Sequence, residues 1–478
     1  MEYKIYDLEL VQCFLMNYRR NLLDIRDLML EYTIFHDIMG SGTELELLMV
    51  DSNGTIELTP IVGDETILLS FRTPSLQKLR TYVFRVYKIE NRSKETVRSD
   101  VYILRAASQE LISNENTSFS ATYSGLPATS IVRSIYDRYL KATPTDHMHV
   151  RKKNLYLQET SGTHHFLFSR ASPLQKINQI CAEAETAASG LVRCYNDTGH
   201  LVETTPFSDG SRASNFVFYE SYDGWYFRTL DSLLAMPPVE DFYLVDALLE
   251  EGRNTGEDTI RDYQKITSIT FEKQLDTREN MHNGLYAHRV DTIDPILKKY
   301  TEDTFQYGRD YQKISHLELN LPYSHESIFG RPHEARSKNY IVSNLGENYT
   351  NKSYLAGALA NDPQLQNPRR LHRFMKYDVV SRLQLNNIVV TVGIPGNTDI
   401  EIGAVVNLHI PQSSEIDEYM TRLNLLHGKK FFVTAVRHTY NKKDNTFFTV
   451  LECVKDTYAK KVLEESRELV MEEESILL

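Results

Sequence analysis

The segment 216–234 constrains the fold of this chain more than any other stretch. On either side of an Asp223-Gly224 pair, aromatic residues alternate with more polar neighbours. Alternation with a period of two is typical of a half-buried strand, and Asp-Gly is typical of the tight turn in a β-hairpin. We therefore predict a β-hairpin here, followed by a short helical turn that Asp231 or Ser232 caps.

Length and charge bound the class of protein. With 478 residues the chain is too long for one ordinary core, so we expect about three domains. Hydrophobic residues make up 41% and charged residues 25%, which are the proportions of a globular protein rather than a disordered one. Lys and Arg number 53 against 65 Asp and Glu, a net charge of −12 that argues against tight nucleic-acid binding.

Cysteine usage and hydropathy point to a soluble protein made in the cytoplasm. The four cysteines are far apart and form no C-x-x-C pair, so we expect reduced core thiols. No apolar run approaches the roughly 18 residues needed to span a bilayer. The N-terminus lacks the basic and apolar regions of a signal peptide, so we expect a soluble chain that is not exported by that route.

Strand and helix patterns divide the chain. Residues 1–110 are rich in β-branched and aromatic residues and predict an antiparallel barrel or sandwich. Residues 111–212 contain two amphipathic helices, at 127–140 and 173–185, and predict a mixed α+β domain. The polar stretch 241–382 shows little periodicity, and we predict only a loop-rich insertion there.

The last β block runs from 383 to 456. Two strands flank the turn Pro395-Gly396-Asn397-Thr398, in which proline fixes φ and glycine or asparagine tolerates a left-handed backbone. A further hairpin follows, with its loop at 441–445. The tail 457–478 has a seven-residue apolar repeat and predicts an amphipathic helix. That segment packs on its own domain, forms a partly frayed terminus, or docks in a groove on a neighbouring protein.

Three groups of motif residues follow one another along the chain. The first is the turn Thr59 to Glu65, the second is the aromatic hairpin with its R-T-L-D-S tail, and the third spans the closing β block. Their members are Pro60, Gly63 and Glu65; Trp225, Phe227, Arg228, Asp231 and Ser232; and Pro395, Gly396, Asn397, Gly403, Pro411, Gly428 and His438. In this order they resemble the motifs of the central hub proteins of contractile bacteriophage-tail baseplates.

The resemblance implies a fold and a domain plan. The fold class is α+β, mainly β, with two tube-like antiparallel β-barrels, two inserted or peripheral α+β domains and a trimeric ring. Residues 1–110 would form the first hub barrel and 111–212 the peripheral domain. Residues 213–240 plus 383–456 would form the second barrel, interrupted by the insertion 241–382.

The resemblance also implies a structural function. Three chains with two barrels each would form a pseudo-sixfold ring that joins the hexameric tail tube to the threefold spike and provides a channel for DNA. The implied partners are two further copies, the tail tube protein, the central spike protein and neighbouring baseplate wedge proteins, with genomic DNA only in transit. The implied location is the virion tail baseplate, assembled in the host cytoplasm. A hub of a related contractile injection machine remains an alternative.

Sequence motifs for catalysis are absent. The chain has no phosphate loop, dinucleotide fingerprint, nucleophile elbow or H-E-x-x-H helix. His147 and His149, and the adjacent His164 and His165, lack a carboxylate or cysteine at matching spacing, so we predict no metal site. We expect no catalytic residue and no cofactor, and Trp225 packs in a core or at an interprotomer contact. The competing hypothesis is a β-rich phage enzyme that degrades cell-wall or surface polysaccharide.

Overall fold

The structure is a computed structural model of the chain. It describes residues 8–17, 19, 21–40, 42–52, 54, 61–73, 78–96, 99–141, 152–187, 189–206, 214–244, 263–274, 276–294, 298–318, 338–343, 371–410 and 429–457. No helix within these ranges is long and apolar enough to cross a membrane. Strands account for 53% and helices for 18% of the described residues, so the prediction of a mainly β class is confirmed.

Unit A, the N-terminal β unit, is one antiparallel sheet rolled around its own core. Its strands are β1 (Glu9–Met16), β2 (Leu22–Asp24), β3 (Met29–Asp37), β4 (Glu44–Asp51), β5 (Thr66–Arg72), β6 (Leu79–Thr96) and β7 (Ser99–Ser108). They pair in the order β3-β4-β7-β6-β5-β1-β2. Every second residue of these strands points into the core, which includes Tyr32, Leu47, Phe71 and Leu104.

The middle of the chain forms a helical layer and a second sheet. Its elements are α1 (Gln109–Asn116), β8 (Phe119–Leu126), α2 (Ala128–Ile135) continued by a π-helical turn (Tyr136–Leu140), β9 (Asn154–Gln158), β10 (His164–Ala171), α3 (Pro173–Glu183), β11 (Leu191–Tyr195), β12 (Leu201–Pro206), β13 (Phe216–Glu220), β14 (Gly224–Thr229) and α4 (Leu230–Leu234). Both predicted amphipathic helices are present, and Pro173 occupies the first turn of α3. The five-stranded sheet has the order β12-β11-β9-β14-β13.

The predicted hairpin is β13 and β14, but its hydrogen bonds lie in this middle sheet. Strand β14 pairs in parallel with β9. The pairing brings the backbone of residue 224 so close to Asn154 that a Cβ would clash there, so the position requires glycine. The hub motifs in the sequence predict the hairpin in the closing barrel instead. The reason for the difference is that both faces of the hairpin are buried: Phe216, Phe218, Trp225 and Phe227 pack on the helices, while Val217 and Tyr219 pack on the closing β block.

The helical turn after the hairpin is capped differently from the prediction. Helix α4 begins after Thr229, whose Oγ1 accepts a hydrogen bond from the backbone N–H of Ser232 at 3.2 Å. Asp231 and Ser232 lie inside the helix, and Asp231 accepts a hydrogen bond from the Asn215 amide at 3.0 Å. Thr229 is the last residue with extended backbone angles before the helix. Its side chain, and not that of Asp231 or Ser232, can therefore accept hydrogen bonds from the first free N–H groups of the helix.

Among the described residues, the rest of the chain adds nine strands and three α-helices. They are β15 (Asp241–Tyr243), β16 (Ser268–Gln274), α5 (Thr277–Asn283), β17 (Ala287–Asp294), β18 (Lys299–Gln306), α6 (Tyr307–Asp310), β19 (Lys338–Ser343), α7 (Leu371–Gln384), β20 (Ile388–Pro395), β21 (Val405–His409), β22 (Lys430–Asn441) and β23 (Thr446–Lys455). Strands β17, β18 and β19 form a separate small sheet against α7. The tail 458–478 lies outside the described residues.

Unit B, the closing β unit, consists of β15, β16 and β20 to β23. Its pairing is β16-β20-β23-β22, with β22 also paired to β21 and β21 to β15. Strands β15 and β16 fall within the segment 241–382, so their backbone pairing places part of the predicted insertion in the closing unit. Sequence patterning missed this because β16 pairs only with β20 among the described strands and none of its residues is fully buried.

Units A and B repeat the same plan. Strands β3, β4, β5, β6 and β7 of unit A correspond in chain order to β16, β20, β21, β22 and β23 of unit B, and four antiparallel pairings recur between them. The outermost pair differs, because β1 runs antiparallel to β5 while β15 runs parallel to β21.

A shared β-bulge fixes the correspondence as far as Glu90 of β6, after which β6 has two further register shifts that β22 lacks. In unit A the register of β6 on β7 shifts between Val86 and Lys88, and in unit B that of β22 on β23 shifts between Val433 and Ala435. The pairs before and after the bulge are Val86–Ala106 and Lys88–Arg105 in unit A, and Val433–Cys453 and Ala435–Glu452 in unit B. Bulges are specific features of a strand pair, so their coincidence supports a true internal repeat.

The two predicted barrels are not closed by hydrogen-bond ladders among the described strands. Both units together form one open sheet of 13 strands. The two ends of each unit nevertheless lie near one another: β2 leads into β3 after four residues, and a single bridge joins Tyr243 to Lys265 just before β16. Among the described strands, the units are therefore rolled sheets with packed cores and without a continuous ladder of hydrogen bonds around either core.

The doubly buried hairpin predicts a test of the packing. Phe227→Ala removes a fully buried ring from the hairpin, and we expect a loss of about 3–5 kcal/mol in the free energy of unfolding. Phe448→Ala is the matched control, because that ring lies on a sheet surface and is 37% exposed. Urea unfolding followed by circular dichroism measures both. Equal losses for the two variants would contradict the assignment of Phe227 to the core.

Candidate functional site: the sheet wall and its seam

The two units are joined edge to edge by a seam of backbone pairing. Strand β22 pairs through 430–432 with β21 of its own unit and through 435–441 with β3 of unit A. Seven residue pairs make up this seam, from Ala435 opposite Asp37 to Asn441 opposite Glu31. At its centre, Thr33 Oγ1 lies 3.4 Å from Thr439 Oγ1. The seam turns two separate sheets into one.

Eight strands form a continuous wall across the seam, in the order β16-β20-β23-β22-β3-β4-β7-β6. One face of the wall covers the cores of both units. The other face is concave around a depression of about 670 Å³. Strand alternation sends the apolar side chains to the core face and leaves the polar ones on the concave face.

Carboxylates outnumber cations on the concave face. The charged side chains that line the depression are Asp37, Glu44, Glu46, Glu272 and Glu452 against Arg105 and Arg437, so five negative charges stand against two positive ones. They come from both units, since Glu272 and Glu452 belong to unit B and Glu44 and Glu46 to unit A. The depression is therefore acidic across the seam.

Local hydrogen bonds hold these carboxylates in place. Arg105 forms ion pairs with Glu46 and with Glu90. Thr434 Oγ1 donates to Glu452 Oε1 at 2.6 Å, and the Thr391 hydroxyl donates to Glu272. Hydroxyl donors satisfy a carboxylate without cancelling its charge, so the face stays negative while its side chains are ordered.

His438 lies beneath the seam and not on the concave face. Its ring is buried, and its Nδ1 lies 3.0 Å from the Thr449 hydroxyl. Burial, followed by the nearby charges of His36 and Arg80, lowers the pKa of His438 to about 3. The ring is therefore uncharged at neutral pH, which suits a buried side chain that packs and forms a hydrogen bond.

Arg80 connects three parts of the molecule. This buried residue of β6 donates through Nη2 to the carbonyl of Thr398 at 2.7 Å and to Asp399 at 3.1 Å, both in the turn after β20. Its guanidinium also lies 4.1 Å from the centre of the Tyr222 ring in the hairpin loop. Arg80 thus ties unit A to unit B and to the middle sheet. No local sequence pattern marks it, because all its partners are distant in the chain.

The turn 395–398 is shaped by close packing. A Cβ on Gly396 would lie 1.8 Å from Cδ1 of Phe447, so only glycine fits there. The backbone N–H of Asn397 donates to Thr449 Oγ1 at 3.0 Å, and its own side chain accepts from the N–H of Asp399 at 2.8 Å. The motif residues Pro395, Gly396 and Asn397 therefore present the Thr398 carbonyl to Arg80.

Two other motif positions occupy equivalent turns. Gly63 precedes β5 with φ of 93°, and Gly403 precedes β21 with φ of 81°. In unit A the buried Glu65 carboxylate accepts from the N–H groups of Val62, Gly63 and Asp64 at 2.8–3.1 Å. In unit B the N–H of Gly403 bonds the carbonyl of Val433 at 2.9 Å. The motif glycines thus mark the same turn in both copies of the repeat.

The hairpin motif residues are structural in their contacts. Trp225 and Phe227 are fully buried, and the indole stacks on Phe218 with ring centres 5.0 Å apart. Burial lowers the pKa of the Arg228 guanidinium, which lies 3.5 Å from the Ser232 carbonyl. These side chains gather at the hairpin and do not reach the concave face. Pro60, Pro411 and Gly428 lie outside the described residues, as do His147 and His149.

The part of the chain that the structure describes brings together no side chains suited to metal or thiol chemistry. No cluster of three or more His, Cys, Asp or Glu side chains suited to a metal ion occurs there. His165 Nδ1 instead lies 2.8 Å from the Ser124 hydroxyl. All four cysteines are buried and unpaired with one another, and burial raises the pKa of Cys13 and Cys181 to about 12.

No family model matches the chain, and no curated protein matches it. Similar solved structures include a tail protein from Neisseria meningitidis MC58, with a TM-score of 0.48 and 10% identity over 94% of this chain and 97% of the other. The 43 kDa tail protein of prophage MuSo2 from Shewanella oneidensis gives 0.47 and 9%, over 93% and 98%.

A third similar structure is an Escherichia coli protein described as a component of the type VI secretion system with structural similarity to bacteriophage T4 tail proteins gp27 and gp5. It gives a TM-score of 0.40 and 8% identity, over 96% of this chain and 80% of the other. All three TM-scores lie below 0.5, so the case for a function rests on the geometry of the chain itself.

The buried His438 at the seam predicts that the stability of the folded chain depends on pH. In the unfolded chain His438 protonates near its usual pKa of about 6.5, whereas in the folded chain it does so at about 3. Between these values the unfolded state binds more protons, so stability falls as the pH falls. The contribution of this one residue is a loss of about 2 kcal/mol between pH 7 and pH 5.

His438→Asn cannot take up that proton, and we expect it to flatten the decline by this amount, measured as urea unfolding at pH 7, 6 and 5. His200→Asn is the control, because His200 is exposed in the turn before β12. A decline as steep in His438→Asn as in the unaltered chain would show that His438 is accessible to protons when folded.

Proposed function

We propose that this chain is the structural hub of a contractile phage-tail baseplate, a trimer whose ring joins the tail tube to the spike and encloses a channel for DNA. The observation that carries the proposal is the internal repeat: units A and B share strand order, pairing and a bulge, and stand side by side in one wall. The hub motifs of the sequence suggest the family, and the internal repeat suggests the geometry of the ring.

The repeat favours a ring of three chains. Within one chain, the seam places unit A beside unit B as neighbours in a curved sheet. Repeating the same step from chain to chain generates a ring, because a head-to-tail contact closes wherever its rotation divides a full turn. Three chains of two units give six similar units, which fits a sixfold tube on one side and a threefold spike on the other.

The concave face suits the lining of a DNA channel. Its five carboxylates against two arginines present net negative charge, and fixed negative charge repels the phosphates of DNA. A lining of this kind lets a duplex pass without binding to it. The bound partners of the hub would then be proteins at its two ends and its rim, namely the tube, the spike and the wedge proteins, within the virion tail baseplate.

The proposal assigns the chain no catalytic step. The buried histidine and the motif carboxylate Glu65 are both engaged inside the fold, where substrate does not reach them. Assays for turnover of peptidoglycan and of capsular polysaccharide separate the hub from the competing enzyme hypothesis. Release of soluble saccharide that rises linearly with protein concentration would favour the enzyme.

The ring predicts a mass. Light scattering of the purified chain should give close to three times 55.3 kDa over a range of concentrations, and class averages in electron microscopy should show six lobes around a hole. The tube and spike proteins, added together, are the second arm of the experiment. A chain that stays monomeric both alone and with these partners would refute the proposed ring.

The channel predicts a charge-reversal phenotype. Glu44→Lys, Glu272→Lys and Glu452→Lys together turn the lining positive, and we expect the triple variant to retain duplex DNA in a mobility-shift assay, with retention that weakens as salt rises. The unaltered chain should not retain DNA. The control is Asp27→Lys with Glu203→Lys and Asp444→Lys, which changes the net charge equally at exposed positions away from the depression. Equal retention by both triple variants would contradict a special role for this face.

A further inference from the structure

A buried ion cluster lies where the middle layers of the chain, the elements from α1 to α4, meet unit A. Lys153, just before β9, donates from Nζ to Glu110 of α1 at 2.6 Å and to Glu220 at the end of β13. Only 3% of each glutamate side chain and 10% of the lysine side chain are exposed. The cluster therefore holds two carboxyl groups and one ammonium group away from water.

Unit A encloses this cluster from the other side. The backbone N–H of Thr43, in the turn before β4, donates to Glu220 Oε2 at 3.0 Å. A cavity of about 10 Å³ lies beside these groups, and Thr43, Tyr82 and Phe84 of unit A line it together with Lys153 and Glu220. The cluster is thus a polar part of the contact between unit A and the middle layers.

The hydroxyl group of Ser108 faces the same cavity. Ser108 is 2% exposed and stands directly before α1, and its Oγ forms no hydrogen bond with any described residue. A hydroxyl oxygen accepts hydrogen bonds as well as donating them, whereas an ionised carboxylate only accepts. Ser108 therefore adds an acceptor that suits a protonated carboxyl group.

The charges in the cluster do not balance. Lys153 is the one cation at ion-pair distance from either carboxyl group in the part of the chain that the structure describes. If both glutamates were ionised, the cluster would carry a net charge of −1, and an unbalanced buried charge is strongly destabilising. When two carboxyl groups share a site, one of them stays protonated to a higher pH than usual.

Hydrogen bonds distinguish the two carboxyl groups. Glu220 accepts from both Lys153 and the Thr43 N–H, so its ionised form is well stabilised. Among the described residues, Glu110 accepts from Lys153 and from its own backbone alone. Burial raises the pKa of Glu110; Lys153 opposes this rise and Glu220 adds to it. Glu110 is therefore the group that holds a proton.

We propose that Glu110, Lys153 and Glu220 form a proton-binding clamp, in which Glu110 carries one proton in the folded chain and its loss in alkaline solution weakens the contact between unit A and the middle layers. The proton leaves to solvent, and the clamp then carries the unbalanced negative charge. The site lies within one chain, so the inference is independent of the ring and goes beyond the proposed hub function.

Other ionisable side chains on the elements around the clamp are Tyr136, Tyr82, Arg85 and Glu401. Burial, followed by the charges of the two clamp glutamates, raises the pKa of Tyr136, so its phenol stays neutral. Arg85 donates to Gln109 and pairs with Asp64, so its charge is already matched. Glu401 accepts from Ser221, the next residue after Glu220. None of these groups balances the charge of the clamp.

The proposed proton gives the contact a defined dependence on pH. The folded chain holds the Glu110 proton to higher pH than the unfolded chain, in which the usual pKa is about 4.5. Above that value the folded state binds more protons than the unfolded state, so the contribution of Glu110 to stability falls as the pH rises. This direction is the reverse of the one expected from His438.

The one tryptophan of the chain reports on the clamp. Trp225 lies opposite Glu220 in the hairpin, and its ring centre is 6.3 Å from that of Tyr136. The test is urea unfolding of the full chain at pH 5, 7 and 9, followed by tryptophan fluorescence. Glu110→Gln is the decisive variant, because its amide has nearly the shape of a protonated carboxyl group and has no such proton to lose.

We expect the urea midpoint of Glu110→Gln to exceed that of the unaltered chain by roughly 0.5–1 M at pH 9, which corresponds to about a tenfold change in the unfolding equilibrium. The difference should shrink as the pH falls to 5. Glu115→Gln is the matched control, since Glu115 is exposed on the same helix, and its midpoint should follow that of the unaltered chain. Glu220→Gln should lower the midpoint at every pH, because Thr43 and Lys153 lose their ionised acceptor.

The outcomes decide the proposal without reference to the ring. A midpoint difference that grows with pH for Glu110→Gln but not for Glu115→Gln would support the clamp. If the midpoint of Glu110→Gln changed with pH in parallel with that of the unaltered chain, Glu110 would hold no extra proton and the proposal would fail. Stabilisation by Glu220→Gln in place of Glu110→Gln would overturn the assignment of the proton. The hub proposal is tested separately by the mass of the assembly.

Discussion

The whole arrangement depends on one shared strand. The first residues of β22 pair with β21, and its last seven pair with β3, so a single strand belongs to two sheets that would otherwise be separate. The sharing extends to the side chains, since Tyr440 of β22 and Phe447 of β23 are buried in the core of unit A. Because backbone hydrogen bonds fix register and both cores hold the strand, unit A cannot rotate against unit B without breaking both. A rigid wall follows from that constraint.

The two faces of the wall differ in polarity. The core face is apolar, and Thr449 Oγ1 there lies within hydrogen-bond distance of both His438 and the backbone N–H of Asn397. The concave face keeps its charge, because Thr391 and Thr434 bond carboxylates as neutral donors while Arg105 pairs with Glu46. The hydroxyl groups order the acidic face without cancelling its charge, and fixed negative charge repels phosphate.

Local chemistry made much of the fold predictable. The Asp223-Gly224 hairpin, Pro173 at the start of α3 and the turn at Pro395-Gly396 were all found where short-range rules placed them. Each depends only on residues a few positions apart, such as a period of two or a backbone angle that proline or glycine permits.

What sequence patterns missed depends on contacts between distant segments. The parallel pairing of β14 with β9 is set by burial on both faces of the hairpin, and Arg80 finds partners in a turn more than 300 residues away. The repeat itself is hidden for the same reason: β4 reads ELELLMVD and β20 reads IVVTVGIP. The two strands share a position in the sheet and the alternation of burial, but almost no residues.

A repeat that keeps pairing and loses sequence has a consequence for assembly. Unit A links β3 to β4 by a short turn, whereas unit B places α5 to α7 and the small sheet between β16 and β20. The strands of the wall are therefore nearly equivalent from unit to unit, while the outer elements alternate. A ring of three such chains would show a nearly sixfold inner wall and a strictly threefold periphery. One polypeptide would thus fit a sixfold partner and a threefold partner. The shared backbone pairing of the two units would supply the first symmetry, and the insertions that distinguish the units would supply the second.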